Sequence, residues 1–184
     1  MLISDRELSE RYRDMITPFV DSSVRIVDDK KVMSYGVTGY GYDVRCSNEF
    51  WLFSEKSEKN DTIIDPKHFI PSEKMNKYVG DYCIIPAGSF ALGITVEYFV
   101  IPNNVKGILL TKSTYARCGV DCTSTALQPG WKGNLVIEIS NCTPLPVIIY
   151  ANEGIAEITF FKNEFQCRSP YSGKYQNQSG CNPK

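Results

Sequence analysis

Short β-rich runs follow one another along most of this chain: VRIV, YDVRC, FWLF, TIID, YCIIP, SFALGITVEYFV, KGILL, NLVIEIS, LPVIIYA and GIAEITFF. Turn formers punctuate them: Tyr35-Gly36, Pro86-Ala87-Gly88, Pro102-Asn103-Asn104, Pro129-Gly130, Pro144 and Asn152-Glu153-Gly154. Strands this short and this frequent cannot alternate with helices, so the spacing predicts a mainly β sandwich or barrel-like fold. Two helical segments are expected beside it. Residues 4–15 open on the capping box Ser4-Asp5-Arg6-Glu7 and carry an apolar stripe through Leu8, Tyr12 and Met15. Residues 112–118, KSTYARC, lack strand alternation and end at Gly119, a natural position for the left-handed residue that closes a short helix. No repeat, linker or domain boundary is visible, so residues 1–184 read as one domain.

Composition narrows the functions. Twenty basic and 21 acidic side chains leave a formal charge of −1, with no basic block, so no nucleic-acid partner is expected. No apolar run approaches the roughly 18 residues of a membrane span. The N-terminus, MLISDRELSERYR, is charged where a leader would be apolar, and seven scattered cysteines suit a reducing compartment. The protein is therefore expected in the cytoplasm. One histidine, His68, reads as a surface or loop residue, and no CxxC occurs. The H-x-E with P-C-x-x-C ligand set of the zinc deaminases cannot be built from these residues, and no zinc is expected.

Two stretches could carry chemistry. In GNLVIEISN, Leu135, Ile137 and Ile139 alternate with Val136, Glu138 and Ser140, which puts Glu138 in mid-strand on the second face. A carboxylate there is either paired across an interface or held in a partly dry pocket as a general base, its pKa raised toward neutrality. In LLTKSTYARCG, a strand gives way to a turn of helix whose free N–H groups, with Lys112 and the Ser113 and Thr114 hydroxyls, suit phosphates; Arg117 lies four residues on, on the same helical face as Ser113. A capped surface helix is the competing reading. GVTGYGYDVR lacks the dinucleotide fingerprint, and Asp43 and Arg45, on one face around Val44, are expected to be structural and able to pair. The polar end, SPYSGKYQNQSGCNPK, has the composition of a loose tail.

The segments SYGVTGYGYDVRCSNEF, DYCIIPAGSFALGITVEYFVIP, TKSTYARCGV, LQPGWKGNLVIEISNCTPLP, IYANEGIA and GKYQNQSG, in this order over nearly the whole chain, resemble the dCTP deaminases of the trimeric dUTPase-like group. The resemblance implies a dUTPase-like fold, a β-clip or distorted β-barrel. It implies zinc-independent hydrolysis of dCTP to dUTP and ammonia, with Glu138 as the base that takes a proton from the attacking water. Ser113 and Arg117 match residues that position that water and balance the charge of Glu138. Lys112, Ser113, Thr114 and Arg117 match the triphosphate loop, and Tyr171, Lys174, Tyr175 and Gln178 match a C-terminal segment, here 169–184, that closes over the nucleotide. Thr125, Ala126 and Val136 would meet the pyrimidine, and Gln128 would lie near the deoxyribose. Magnesium is expected on the phosphate oxygens without protein ligands of its own. A homotrimer with sites shared between subunits is also implied, and dTTP is a candidate feedback inhibitor, since some relatives are regulated that way.

The chain departs from the family pattern at Thr111, where Gly is usual, along Asp121–Leu127, and at Gln128, where an acid is usual. A bifunctional deaminase and dUTP diphosphatase, or a plain diphosphatase, is the alternative. The uncharged Gln128 weighs against it, and Asp121 nearby keeps it open.

Overall fold

The computed structural model describes residues 1–53 and 63–181. Helix α1, Asp5–Arg11, starts at Ser4, whose hydroxyl accepts from the Glu7 N–H at 3.3 Å. The expected box is half formed, because the Glu7 carboxylate turns away to the ammonium of Lys162. The helix also stops four residues short of the expected end. A 3-10 turn at Arg13–Met15 replaces its last turn and drives Met15 into the core.

The strands are β1 (Ile16–Thr17), β2 (Val24–Val27), β3 (Lys30–Thr38), β4 (Gly41–Phe53), β5 (Met75–Val79), β6 (Tyr82–Ile85), β7 (Phe90–Val100), β8 (Val105–Thr111), β9 (Val120–Thr123), β10 (Lys132–Asn141), β11 (Val147–Tyr150) and β12 (Gly154–Lys162). A single turn of helix, α2 (Pro71–Lys74), leads into β5, and α3 (Ser113–Arg117) links β8 to β9. Ten strands form one antiparallel sheet along the path β2-β3-β4-β7-β10-β9, with β12 joining β4 to β8; β6 and β11 form a separate pair. Strand β4 explains why the sheet curls. Its first half pairs with β3 and β12, its second half with β5 and β7, and the β4–β7 register slips between Cys46 and Phe50. A bulged strand that changes partners midway bends the sheet around its inner face. That face carries Tyr42, Phe50, Phe99, Ile137, Ile139 and Phe160, all buried. The mainly β architecture and both expected helices are present.

Several expectations are corrected. Tyr35-Gly36 is no turn: Gly36 lies inside β3 opposite Asp43, at φ +100, where a Cβ would sit 2.1 Å from the Ser22 carbonyl oxygen. TIID forms no strand over its described residues 63–65, and residue 62 lies outside the described set. Asp43 and Arg45 do not pair with each other. Asp43 holds Lys112, while Arg45 Nε donates to Glu97 at 2.8 Å, because β12 joins β4 to β8, whose end leads into Lys112, and β7, which carries Glu97, pairs with β4 directly. His68 is exposed beside Asp65, as expected of a surface loop.

Candidate active site

Strand β10 carries the site. Leu135, Ile137 and Ile139 are buried, while Val136, Glu138 and Ser140 are half-buried on the other face, the alternation read from the sequence. Glu138 stands between Leu92 on β7 and Thr123 on β9. The β7 register shifts between Asn134 and Val136, and side chains hold that bulge in place: the Leu135 N–H donates to Thr95 Oγ1 at 2.9 Å, and Asn134 Nδ2 reaches the Thr95 and Glu97 carbonyls at 3.1 Å. Leu135 and Val136, beside this bulge, both line one cavity.

This cavity, of about 640 Å³, has Glu138 in its wall. Among the described residues Glu138 is the only carboxylate lining it; Leu92, Phe90 and Val136 form an apolar surround. Burial pushes the Glu138 carboxyl above the ordinary glutamate range, and a hydrogen bond with its own backbone opposes this more weakly. Its Oε2 is buried with no hydrogen-bond partner. An oxygen so placed is basic and free to accept a proton from a water or a ligand.

The C-terminal segment forms the opposite wall. The Tyr171 N–H donates to the Pro129 carbonyl at 2.8 Å, the Trp131 indole N–H to the Tyr175 carbonyl at 2.9 Å, and the Asn134 N–H to the Gln178 carbonyl at 2.8 Å. Gln176 clasps the same edge, donating to the Gly130 carbonyl and accepting from the Lys132 N–H, both at 2.9 Å. Gly133, at φ +149, lets the segment lie this close: a Cβ there would be 2.9 Å from both Gln178 N and O. Tyr171, Tyr175, Gln178 and Cys181 thus face the cavity that holds Glu138. The polar composition suggested looseness; backbone pairing with residues 129–134 supplies the order that composition could not show.

Thr125, Ala126, Gln128, Val136, Glu138, Tyr171, Tyr175 and Gln178 therefore meet around one cavity. Lys174 stays exposed, its ammonium 4.8 Å from the centre of the Tyr175 ring. Within one chain the other group of expected residues lies elsewhere. Ser113, Thr114 and Arg117 are exposed on α3 and do not line the Glu138 cavity. Lys112 is ion-paired with Asp43. Thr111 does not crowd that loop: its hydroxyl accepts from the Cys122 N–H at 2.7 Å and lies 3.1 Å from the Asp121 carboxylate, stitching β8 to β9. Sequence reasoning missed the support given by Trp131 and Gly133 and the apolar contribution of Leu92 and Cys181. The PGW-x-G spelling held a signal for the first two, since an indole and a glycine two residues apart suit a close backbone approach.

Among the described residues no three His, Cys, Asp or Glu side chains stand together as metal ligands, and no helix is long and apolar enough to cross a membrane.

A curled, mainly β sheet of this kind is shared with the crystal structure of 2′-deoxycytidine 5′-triphosphate deaminase from Agrobacterium tumefaciens, at a TM-score of 0.62 and 14% identity. The match covers 88% of this chain and 48% of that one, so this chain spans about half the solved chain's length, and the likeness is one of fold. Sequence is more specific. A dCTP deaminase of Azoarcus sp. (strain BH72) is 48% identical over 178 residues, covering 95% of this chain and 92% of the relative. One of Pseudomonas fluorescens (strain Pf0-1) is 50% identical over 169 residues, covering 90% and 88%. Residues 2–163 match the family model described as dCTP deaminase-like, and the chain belongs to that family.

Proposed function

We propose that the protein hydrolyses dCTP to dUTP and ammonia without zinc, with Glu138 as general base. The observation that carries this is the single carboxylate in the cavity wall, raised in pKa by burial and with an oxygen that no protein group satisfies. Ionised Glu138 takes a proton from water as the water oxygen bonds to C4 of cytosine, and hands it to N3, which receives the electron pair of the C4–N3 double bond. It then takes the remaining hydroxyl proton and gives it to the 4-amino nitrogen. As the C4–N bond to that nitrogen breaks, ammonia leaves and the C4 carbonyl and N3–H of uracil remain. Thr125, Ala126 and Val136 would hold the ring and Gln128 the sugar, its amide oxygen accepting from a 3′-hydroxyl. Tyr171, Tyr175 and Gln178 would close the site with Lys174, excluding bulk water from the reacting carbon.

Ser113, Thr114 and Arg117 would serve the same reaction from a neighbouring subunit. In this reading the enzyme is a homotrimer, which joins the Glu138 cavity of one chain to the exposed α3 of another. The outward face of β8 and β12 supports association: Leu110, Ile108 and Phe161 are 58%, 42% and 40% exposed on one face of one strand pair. Magnesium would be carried on the triphosphate oxygens and its waters. Seven free thiols suit a cytoplasmic location.

A dUTP diphosphatase step has less support. Gln128 is uncharged, and Asp121 lies outside the cavity, next to the Thr111 hydroxyl. Incubation with dCTP and magnesium, followed by product separation, tests the reading. Ammonia and dUTP are expected; dUMP with diphosphate would show the bifunctional reaction, and no ammonia would refute deamination.

A further inference from the structure

Strand β7 uses three residues where β10 uses one. Asn134 faces Tyr98 and Val136 faces Ile94, so Thr95, Val96 and Glu97 all stand against Leu135. A bulge of this kind takes backbone groups out of the ladder, and here they lie in the core, with Thr95 and Glu97 both buried. Thr95 closes the gap with its side chain. Its hydroxyl accepts from the Leu135 N–H at 2.9 Å and donates to the Glu97 carbonyl at 2.7 Å, standing in for the carbonyl that a regular ladder would offer Leu135. Asn134 Nδ2 plugs the bulge from β10, reaching the Thr95, Val96 and Glu97 carbonyls at 3.1, 3.4 and 3.1 Å. The Glu97 carboxylate ties it to β4, accepting from the Arg45 backbone N–H at 3.0 Å and from Arg45 Nε at 2.8 Å.

The bulge decides what stands beside Glu138. Beyond it the ladder resumes with Glu138 opposite Leu92, part of the cavity's apolar surround. Were the Asn134–Tyr98 register to run on unbroken, Glu138 would face Ile94, which does not line the cavity, and Leu92 would pass to Ser140. On the near side of the bulge, the Asn134 N–H holds the Gln178 carbonyl at 2.8 Å. The bulge thus sits between the two parts of the cavity wall, the carboxylate and the C-terminal segment. We propose that Thr95 is a positioning residue for deamination: its hydroxyl locks the bulge and so holds Glu138 in register with Leu92, although Thr95 itself does not line the cavity. This rests on the reading of Glu138 as the general base.

The test compares Thr95→Val, which keeps the shape and loses the hydroxyl, with Thr95→Ser, which keeps the hydroxyl and loses a methyl. Ammonia release from dCTP is measured well below the unfolding temperature, and amide hydrogen exchange is followed over residues 132–141. Thr95→Val should lose at least about tenfold in kcat while KM stays within about threefold, since misplacing a reacting group by about 1 Å can cost roughly 10²-fold. Its β10 amides should exchange faster than those of wild type. Thr95→Ser should keep kcat within about threefold and exchange like wild type. Four results would each overturn the proposal: folded Thr95→Val with wild-type kcat, a KM that rises with kcat unchanged, unchanged exchange in Thr95→Val, or Thr95→Ser as impaired as Thr95→Val. If Thr95→Val is insoluble, Asn134→Leu unplugs the same bulge from β10 and decides: a lower kcat at unchanged KM supports the proposal, and any other result refutes it. The exchange measurement needs no activity. If the wild-type protein releases no ammonia, deamination fails while the hold of the Thr95 hydroxyl on β10 is still measured.

Discussion

Glu138 concentrates the chemistry into one side chain whose environment works against its own charge. Its carboxyl is raised by burial, so between the unfolded and folded pKa values the folded protein binds the extra proton. Stability from this group is therefore greatest at low pH and is lost as pH rises through the folded pKa. Glu138→Gln should accordingly unfold at a higher temperature than wild type at neutral pH, by about 2–4 °C, the size of a change near 1 kcal/mol in a chain of this length. The difference should shrink on acidification. Turnover of the same variant should fall by roughly 10²–10⁴-fold, the range of a lost general base. In wild type, kcat/KM should rise with pH along an acidic limb centred above the ordinary glutamate value, since only ionised Glu138 accepts the proton; a limb at the ordinary value would contradict the raised pKa.

Among the elements, β10 and the C-terminal segment act together. The segment is held by the Trp131 indole N–H and by close passage over Gly133. Trp131→Phe removes one hydrogen bond worth about 0.5–1.5 kcal/mol, so KM for dCTP should rise by up to about tenfold with a smaller change in kcat. Gly133→Ala should lift the segment by contact with Gln178, seen as faster proteolysis between residues 171 and 181 while the core unfolds at nearly its usual temperature.

Much at this scale was legible from sequence. Alternation in NLVIEIS placed Glu138 on the less buried face, and Gly119, at φ +72, does end the α3 segment. What could not be read was pairing at long range. Asp43 meets Lys112 across 69 residues of chain, and Arg45 meets Glu97 across 52. Such partners follow from which strands become neighbours, whereas local spacing had suggested that Asp43 and Arg45 might satisfy each other. Strands β3 and β5 were also unannounced, since KKVMSYGVT and MNKYV owe their pairing to neighbours rather than to an apolar rhythm; β9, VDCT, alternates but over only four residues.

For the whole molecule, the separation of Glu138 from Ser113 and Arg117 within one chain bears on assembly. If a site draws on two subunits, co-expressing Glu138→Gln with Arg117→Ala should restore about a quarter of wild-type activity, the chance that both intact groups meet at one interface. Each variant alone should stay nearly inactive, and a mixture no better than its parts would place the whole site in one chain.

The chain has two tryptophans, and both lie beneath the C-terminal segment: Trp131 donates to Tyr175, and Trp51 packs in the apolar cluster that receives Cys181. Intrinsic fluorescence is therefore a built-in gauge of that segment. Its lifting would wet both indoles and redden the emission, and its seating by a nucleotide would shift the spectrum to the blue, so opening and closing can be timed in a stopped-flow cell with no label attached.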